Sequence, residues 1–254
     1  MEPHEKLISV RGKVILITGG AGFLGMEYAT FLSRAGARVV LLDVVGPDVL
    51  RAKAAEIYRR SGRRPLALPV DITDASAVRR VVRQVLGRHH GIDALINNAA
   101  LNPVPGSPES AQQFLPYERY PIELWRHEFE VGLTGAFIVT QAVIPAMKRQ
   151  RSGVIINIGS IYGEKAPDNR IYKKGQFKSI AYATIKGGMR NFTRTLAGYL
   201  APFGIRVNQM SLAGVLAGQD RRFVARHERT YMLGRMARKD EFNGALLFLA
   251  SDAS

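Results

Sequence analysis

Tyr182 and Lys186 stand four residues apart in a stretch, 179–201, whose apolar spacing predicts a helix. Their side chains therefore leave the same helical face one turn apart. A tyrosine hydroxyl ionises near pH ~10, but an adjacent ammonium favours the phenolate and draws the group toward general acid–base range. As a bare pair, the same two residues also describe a solvated helix face. Ser160 gives them company, because it closes an apolar run that reads as a strand, and Asn97-Asn98-Ala99-Ala100 closes another.

A second constellation lies near the start. Thr18-Gly19-Gly20-Ala21-Gly22-Phe23-Leu24-Gly25 follows an apolar strand directly and opens a helix, the context that makes a glycine pattern a dinucleotide fingerprint. Gly19 permits the tight turn, Gly22 lets the backbone approach a pyrophosphate at the helix N-terminus, and Gly25 allows the helix to pack close to the sheet. Asp43 ends the second strand at the spacing where a carboxylate accepts hydrogen bonds from the adenosine ribose hydroxyls. It would also repel a 2′-phosphate. With Val44 and Val45 following rather than an arginine, NAD is expected over NADP.

These residues need a scaffold that carries strand ends to one rim. Valine- and isoleucine-rich runs at 14–17, 38–42, 65–69, 94–96, 154–158 and 206–210 alternate with amphipathic stretches at 24–35, 49–61, 75–89, 122–148, 179–201 and 239–250. That alternation predicts an α/β fold, a doubly wound parallel sheet of Rossmann type with helices on both faces. Thr73, Asp74 and Ser179 are good helix-capping residues. No linker or low-complexity tract interrupts the series, so 1–254 reads as one domain. Ligands of open parallel sheets bind beyond the carboxyl ends of the strands, so the irregular stretches 101–121 and 161–178 are expected to wall a substrate site.

Composition narrows the classes. With no cysteine among 254 residues, disulfides, thiolate chemistry and cysteine zinc sites are excluded, no metal is called for, and a reducing cytoplasm fits. The apolar run at 14–17 is too short for a signal-peptide core or a membrane span. A formal charge of +15 attracts anions in general. The basic residues are scattered in pairs such as Arg59-Arg60, Arg63-Arg64 and Lys173-Lys174 and are mostly not interleaved with stacking aromatics, which argues for a solvated basic surface over nucleic acid.

Taken with Asp71, the Asn97-Asn98-Ala99 motif, Ser160, Tyr182-x-x-x-Lys186 and Val207-Asn208, the chain resembles the short-chain dehydrogenase/reductase family over nearly its whole length. The resemblance implies a nicotinamide-dependent interconversion of alcohol and ketone. Tyr182 would exchange a proton with the substrate oxygen, Ser160 would orient that oxygen, and Lys186 would bind the nicotinamide ribose and lower the pKa of Tyr182. Asp71 and Ile72 would meet the adenine, Asn98 would line the cofactor and Val215 would contact the nicotinamide. A homodimer or homotetramer, formed through the helices around 123–148 and 179–200, is implied as well.

Three departures from the family pattern stand out. The glycine spacing is that of the longer, sugar-nucleotide-modifying branch, whereas length and the Asn-Asn-Ala motif belong to the single-domain branch. Gly132 stands where many members carry an asparagine that holds a water chain behind the lysine, and a glycine inside a helix costs about 1 kcal/mol relative to alanine. The sequence stops after the last helix, where members continue into a final strand.

The loops suggest the substrate. The stretch between Ser160 and Tyr182 carries Arg170, Tyr172, Lys173 and Lys174, and the region after Gly214 carries Arg221, Arg222, Arg226 and Arg229. These cations point to a small polar substrate, anionic ones included. The wording Ala-Pro-Asp-Asn-Arg-Ile-Tyr and Gly-Gln-Asp is similar to bacterial short-chain oxidoreductases of surface-glycan and flagellin-modification sugar pathways, which implies a sugar or sugar-phosphate alcohol. Two alternatives remain open: a cofactor-binding regulatory member without turnover, and a basic nucleic-acid-binding protein on the same scaffold.

Overall fold

In the computed structural model, residues 7–103 and 110–254 are described. The expectations for the termini of the 101–121 wall apply to 101–103 and 110–121, since 104–109, like 1–6, lie outside the described residues. Six strands form one wholly parallel sheet in the order β3-β2-β1-β4-β5-β6. They are β1 (Val14–Thr18), β2 (Arg38–Asp43), β3 (Leu66–Pro69), β4 (Ala94–Asn97), β5 (Gly153–Ser160) and β6 (Ile205–Leu212). Among the described residues no strand lies beyond β6.

Every side chain of β1 is buried, and so is every one of β4, as a sheet covered on both faces requires. One face is closed by α1 (Phe23–Arg34), α2 (Pro47–Ser61) and α8 (Asn243–Ala250), which pack Tyr28, Leu32, Leu50, Ile57 and Leu246 onto Ile15, Ile17 and Ile156. The other carries α3 (Ala75–His89), α5 (Gly135–Gln150) and α6 (Ile180–Leu200), whose Val82, Val85, Val139, Met147 and Leu200 meet Leu16, Leu95 and Ile155. Successive residues of each strand thus serve opposite cores.

Three local departures from the sequence expectation have physical causes. The predicted helix 122–148 is one continuous run in three parts, α4 (Ile122–Phe129), a π-helical turn at Glu130–Thr134 and α5, with the Gly135 N–H reaching back five residues to Glu130 O. By length and composition this run, Ile122–Gln150, is apolar enough to cross a bilayer, but Val139, Val143 and Met147 spend that apolar surface on the core. Asp74 caps α3 by accepting from the N–H groups of Ser76 and Ala77, whereas Thr73 turns both its N–H and its hydroxyl to Asp71 Oδ1 and caps nothing. A short helix, α7 (Arg221–Glu228), lies where no helix was expected; Phe223 and His227 face inward from it while Arg221 and Arg222 face solvent.

Candidate active site

The carboxyl ends of β1, β2, β4, β5 and β6 open into one cavity of about 660 Å³. Its lining runs from Asp43 and Asp71 at one end, past Gly19, Gly22, Phe23 and Leu24, over Ile72, Asn98 and Ala99, to Ser160, Tyr182, Lys186 and Val215 at the other. Of the residues singled out for a cofactor, Gly25 alone does not line it. A Cβ at Gly25 would collide with the Gly19 carbonyl oxygen, so this glycine lets α1 rest on the turn.

The turn itself is built to receive an anion. Gly19 takes a left-handed φ of +62°. Helix α1 starts at Gly22 with no side-chain cap and no acidic residue in its first turn, so its leading N–H groups and positive end remain free for a ligand. Asn98 pins the turn from the side, donating from Nδ2 to the carbonyls of Thr18 and Gly19 at 3.0 and 3.1 Å. Thr18 Oγ1 accepts from the N–H groups of Asn98 and Ala99. Asp43 accepts from Ala21 N at 2.8 Å and from Val45 N at 3.2 Å, which ties the turn to the end of β2. A carboxylate has about four acceptor positions, so two remain for ribose hydroxyls. An extended groove with an uncapped helix end in its middle and a carboxylate at one end fits a dinucleotide.

At the other end, α6 supplies Tyr182 and Lys186 and β5 supplies Ser160. Ser179 caps α6 by accepting from Tyr182 N at 3.0 Å, and Ser179 in turn donates to the buried Glu128 Oε2 at 2.7 Å. Gly163 lets the chain leaving β5 lie against α6: a Cβ there would stand 2.5 Å from Lys186 O. The Ser160 hydroxyl, which accepts from Tyr162 N at 3.2 Å, thereby lines the cavity with the Tyr182 phenol and acts to lower its pKa. Lys186 is buried and donates to Ile158 O at 2.6 Å.

Burial is the main influence on the titration of Tyr182. It raises the phenol above its ordinary value, and the opposing influence is the Ser160 hydroxyl. Lys186 stands 5.6 Å from the Tyr182 ring centre and is itself pulled down to about 8 by burial. As it stands, the triad is a phenol beside a serine with a cation one turn away. Such a set can pass a proton to or take one from an oxygen placed between Ser160 and Tyr182.

Gly132 lies in the π turn, and a Cβ there would stand 2.9 Å from Ile185 Cγ2. Ile185 sits between Tyr182 and Lys186, so the glycine makes room for the helix that carries both. Ala213-Gly214 leads into the far wall, where Gly214 N donates to Tyr231 OH at 2.7 Å.

The loop cations do not converge on the cavity. Arg170 pairs with Asp168 at 2.8 Å and is 91% exposed, Lys173 and Lys174 face solvent, and Arg226 donates to Ile171 O. Arg221, Arg222 and Arg229 face solvent too. From that set only Tyr172 lines the site. Besides Lys186, the lysine that does line the cavity is Lys178, which nothing in its sequence context separates from its neighbours. Tyr162, Phe223, His227 and Tyr231 form the wall opposite; their residue types read as ordinary core until the fold brings them to one place.

Behind the site runs a buried polar ladder. Asn97 Nδ2 donates to Thr140 Oγ1 at 3.1 Å and to Asn157 Oδ1 at 2.8 Å, and Asn157 Nδ2 donates to Thr193 Oγ1 at 2.8 Å. It links α5, β4, β5 and α6 in one line.

Residues 13–226 match the family model described as short chain dehydrogenase. The chain is 36% identical over 254 residues to trans-4-hydroxycyclohexanecarboxylate dehydrogenase of Sinomonas cyclohexanicum, covering 96% of this chain and 88% of that one. Among solved structures, a short chain dehydrogenase from Leptospira borgpetersenii with bound NAD+ superposes with a TM-score of 0.84 at 30% identity, over 100% of this chain and 91% of that one. A gluconate 5-dehydrogenase from Burkholderia cenocepacia in complex with NADP and tartrate gives 0.85 at 27% identity, over 99% and 92%. The chain therefore belongs to the short-chain dehydrogenase family and is a nicotinamide-dependent oxidoreductase acting on CH–OH groups.

Proposed function

We propose that this enzyme interconverts a secondary alcohol and a ketone on a polar, sugar-like substrate, a sugar or sugar phosphate included, with NAD as its cofactor. The observation that carries this reading is the single groove with Asp43 at one end, the Ser160–Tyr182–Lys186 group at the other and the uncapped start of α1 between them. Gly19, Gly22, Phe23 and Leu24 would cradle the pyrophosphate, Asp43 the adenosine ribose, and Asp71 and Ile72 the adenine. Asn98 and Val215 would flank the nicotinamide, and Lys186 would hold its ribose. When bound, the nicotinamide supplies the acceptor or donor of hydride.

Ser160 orients the substrate oxygen by hydrogen bonding. Tyr182 exchanges the proton with that oxygen, as base in oxidation and as acid in reduction. Lys186, a cation anchored on β5, favours the phenolate whenever Tyr182 gives up its proton. The aromatic wall excludes water and suits the apolar face of a ring. Asp43 followed by exposed Val44 supports NAD, because a 2′-phosphate would meet a carboxylate and find no arginine at that position.

One domain, 1–254, supplies both the cofactor seat and the substrate wall in this reading. We place the enzyme in the cytoplasm as a homo-oligomer, for which the shallow apolar groove of Leu133, Phe137, Gly188 and Phe192 on the α5–α6 face offers a seam.

The test is turnover of a panel of sugars and sugar phosphates with NAD and with NADP, followed by nicotinamide absorbance, with Tyr182→Phe as control. The variant is expected to lose activity by about 10²-fold or more while still binding NADH. Undiminished activity in Tyr182→Phe would overturn the assigned roles.

A further inference from the structure

Lys178 immediately precedes the Ser179 cap of α6 and lines the cavity beside the reactive group. Its ammonium lies 3.9 Å from the centre of the Tyr182 ring, 5.7 Å from that of Phe114, and donates to Asn102 Oδ1 at 2.7 Å. Among the described residues it forms no ion pair. Among the described residues, the only carboxylates lining the cavity, Asp43 and Asp71, stand at the adenosine end. Glu128 attracts Lys178 from behind Ser179 without forming an ion pair with it, and burial raises the Glu128 carboxyl above its ordinary value. Lys186 adds a second cation on the same side.

A half-buried ammonium whose hydrogen-bond partner is a neutral amide is costly to keep charged, and an incoming anion would repay it. The surroundings say more about that anion. The cavity also carries a run of rings, Tyr172 and Phe223 with centroids 5.5 Å apart, Phe223 and His227 at 5.3 Å, and His227 and Tyr231 at 5.0 Å, with Phe114 packed behind Tyr172 at 5.3 Å. Such faces receive the C–H side of a ring. Among the described residues no arginine lines the cavity, so these offer no planar fork for a phosphate dianion, and Lys178 has already given one of its three N–H donors to Asn102. One ammonium matches one carboxylate. Because the ammonium sits over the ring of Tyr182 itself, the carboxylate and the reacting carbinol belong within a ring's width of each other.

We propose that Lys178 is a specificity-determining residue that binds a carboxylate of the substrate, which is therefore a cyclic or sugar-derived hydroxy acid. The inference rests on the alcohol–ketone reading above and narrows it. The carboxylate pairs with Lys178 while the carbinol oxygen enters between Ser160 and Tyr182.

The test compares matched probes with and without the charge, cyclohexanol against 4-hydroxycyclohexanecarboxylate and glucose against gluconate, with glucose 6-phosphate as the phosphate arm. Each is assayed with wild type, Lys178→Met and Lys178→Arg, and the acid-to-neutral ratio of kcat/KM is read within each variant. Wild type is expected to favour the acids by about tenfold or more, through KM. Lys178→Met should erase the ratio and Lys178→Arg should keep part of it. A ratio near one in wild type, a ratio unmoved in Lys178→Met, or a preference for the phosphate overturns the proposal while the dehydrogenase reading stands.

Cyclohexanecarboxylate, which has no hydroxyl to oxidise, separates the two ideas. Its binding to the NADH complex is followed by thermal shift. Binding by wild type and loss in Lys178→Met supports the carboxylate receptor even if no probe turns over, which would sink the alcohol–ketone reading alone. Equal binding by both proteins, or none by either, overturns the receptor.

Discussion

Lys186 donates to the main-chain carbonyl of Ile158 at 2.6 Å, so the cation of the reactive group is anchored on β5 and not on Tyr182. The group that works against burial at the Tyr182 phenol is the Ser160 hydroxyl. Ser160→Ala is therefore expected to raise the Tyr182 pKa further. In the oxidative direction kcat should fall by about 10²-fold or more, and the basic rise of the pH–rate profile should move to higher pH. Profiles of both proteins with one alcohol check this; a smaller rate at an unmoved pKa would leave Ser160 as a positioning group only.

The contact of Gly132 with Ile185 yields a stability prediction. Gly132→Ala gains about 1 kcal/mol of helix propensity but forces Ile185 aside, at a cost of about 1–3 kcal/mol. A net loss of about 1 kcal/mol is expected in urea unfolding. Ile185→Ala alone should cost about 2–5 kcal/mol. Together the two should cost less than their sum by about 2 kcal/mol, the clash that Ile185→Ala relieves, and strict additivity would show that the π turn needs its glycine for some other reason.

Cofactor choice is the subject of a third prediction. Asp43→Ser with Val44→Arg removes the charge facing a 2′-phosphate and supplies a guanidinium beside it. The ratio of kcat/KM for NADP over NAD should rise by about 10²-fold or more. The gain comes with some loss of stability, because Asp43 also receives the N–H groups of Ala21 and Val45. A ratio that does not move would place the adenosine ribose elsewhere.

Lys178 gives the pH dependence of substrate binding. Burial pulls it down to about 7. Around it stand Glu128 on α4, Tyr182 and Lys186 on α6, His227 on α7 and the neutral Asn102 after β4. A carboxylate binds the protonated form, so its affinity is greatest below about 7 and declines as the pH rises from there to the higher pKa of the paired lysine. Titration of cyclohexanecarboxylate binding from pH 6 to 9 should show that decline in wild type and a flatter profile in Lys178→Met.

Much of this could be read from the chain. All six strands fall within two residues of their expected limits; β1, β4 and β5, buried on both faces, are written as nearly unbroken apolar runs, while β3 and β6 at the sheet's edges are shorter or mixed with polar residues. Gly19, Gly22, Asp43 and Ser160 line one groove because each follows or ends a strand, and Tyr182 and Lys186 join them from one face of α6. What escaped is directional. Arg170, Arg221 and Arg222 looked like the cations of the site on number alone, yet their loops turn them outward, while Lys178 is held inward by its place before the Ser179 cap. Helix α7 escaped because eight residues containing Arg221, Arg222, Arg226 and Glu228 offer only Phe223 and His227 as an apolar stripe. The Asn97–Asn157 ladder escaped because its partners are far apart in sequence.

That ladder decides how well Tyr182 can be aimed. Apolar ridges on a helix repeat every turn and allow neighbouring helices several near-equal settings, whereas Asn157 and Thr193 can meet in only one. A slip of α6 by one turn would displace the phenol by roughly 5.4 Å, farther than any hydrogen bond spans. The accuracy of proton delivery at the rim is thus determined in the interior, by amides and hydroxyls that no substrate ever touches.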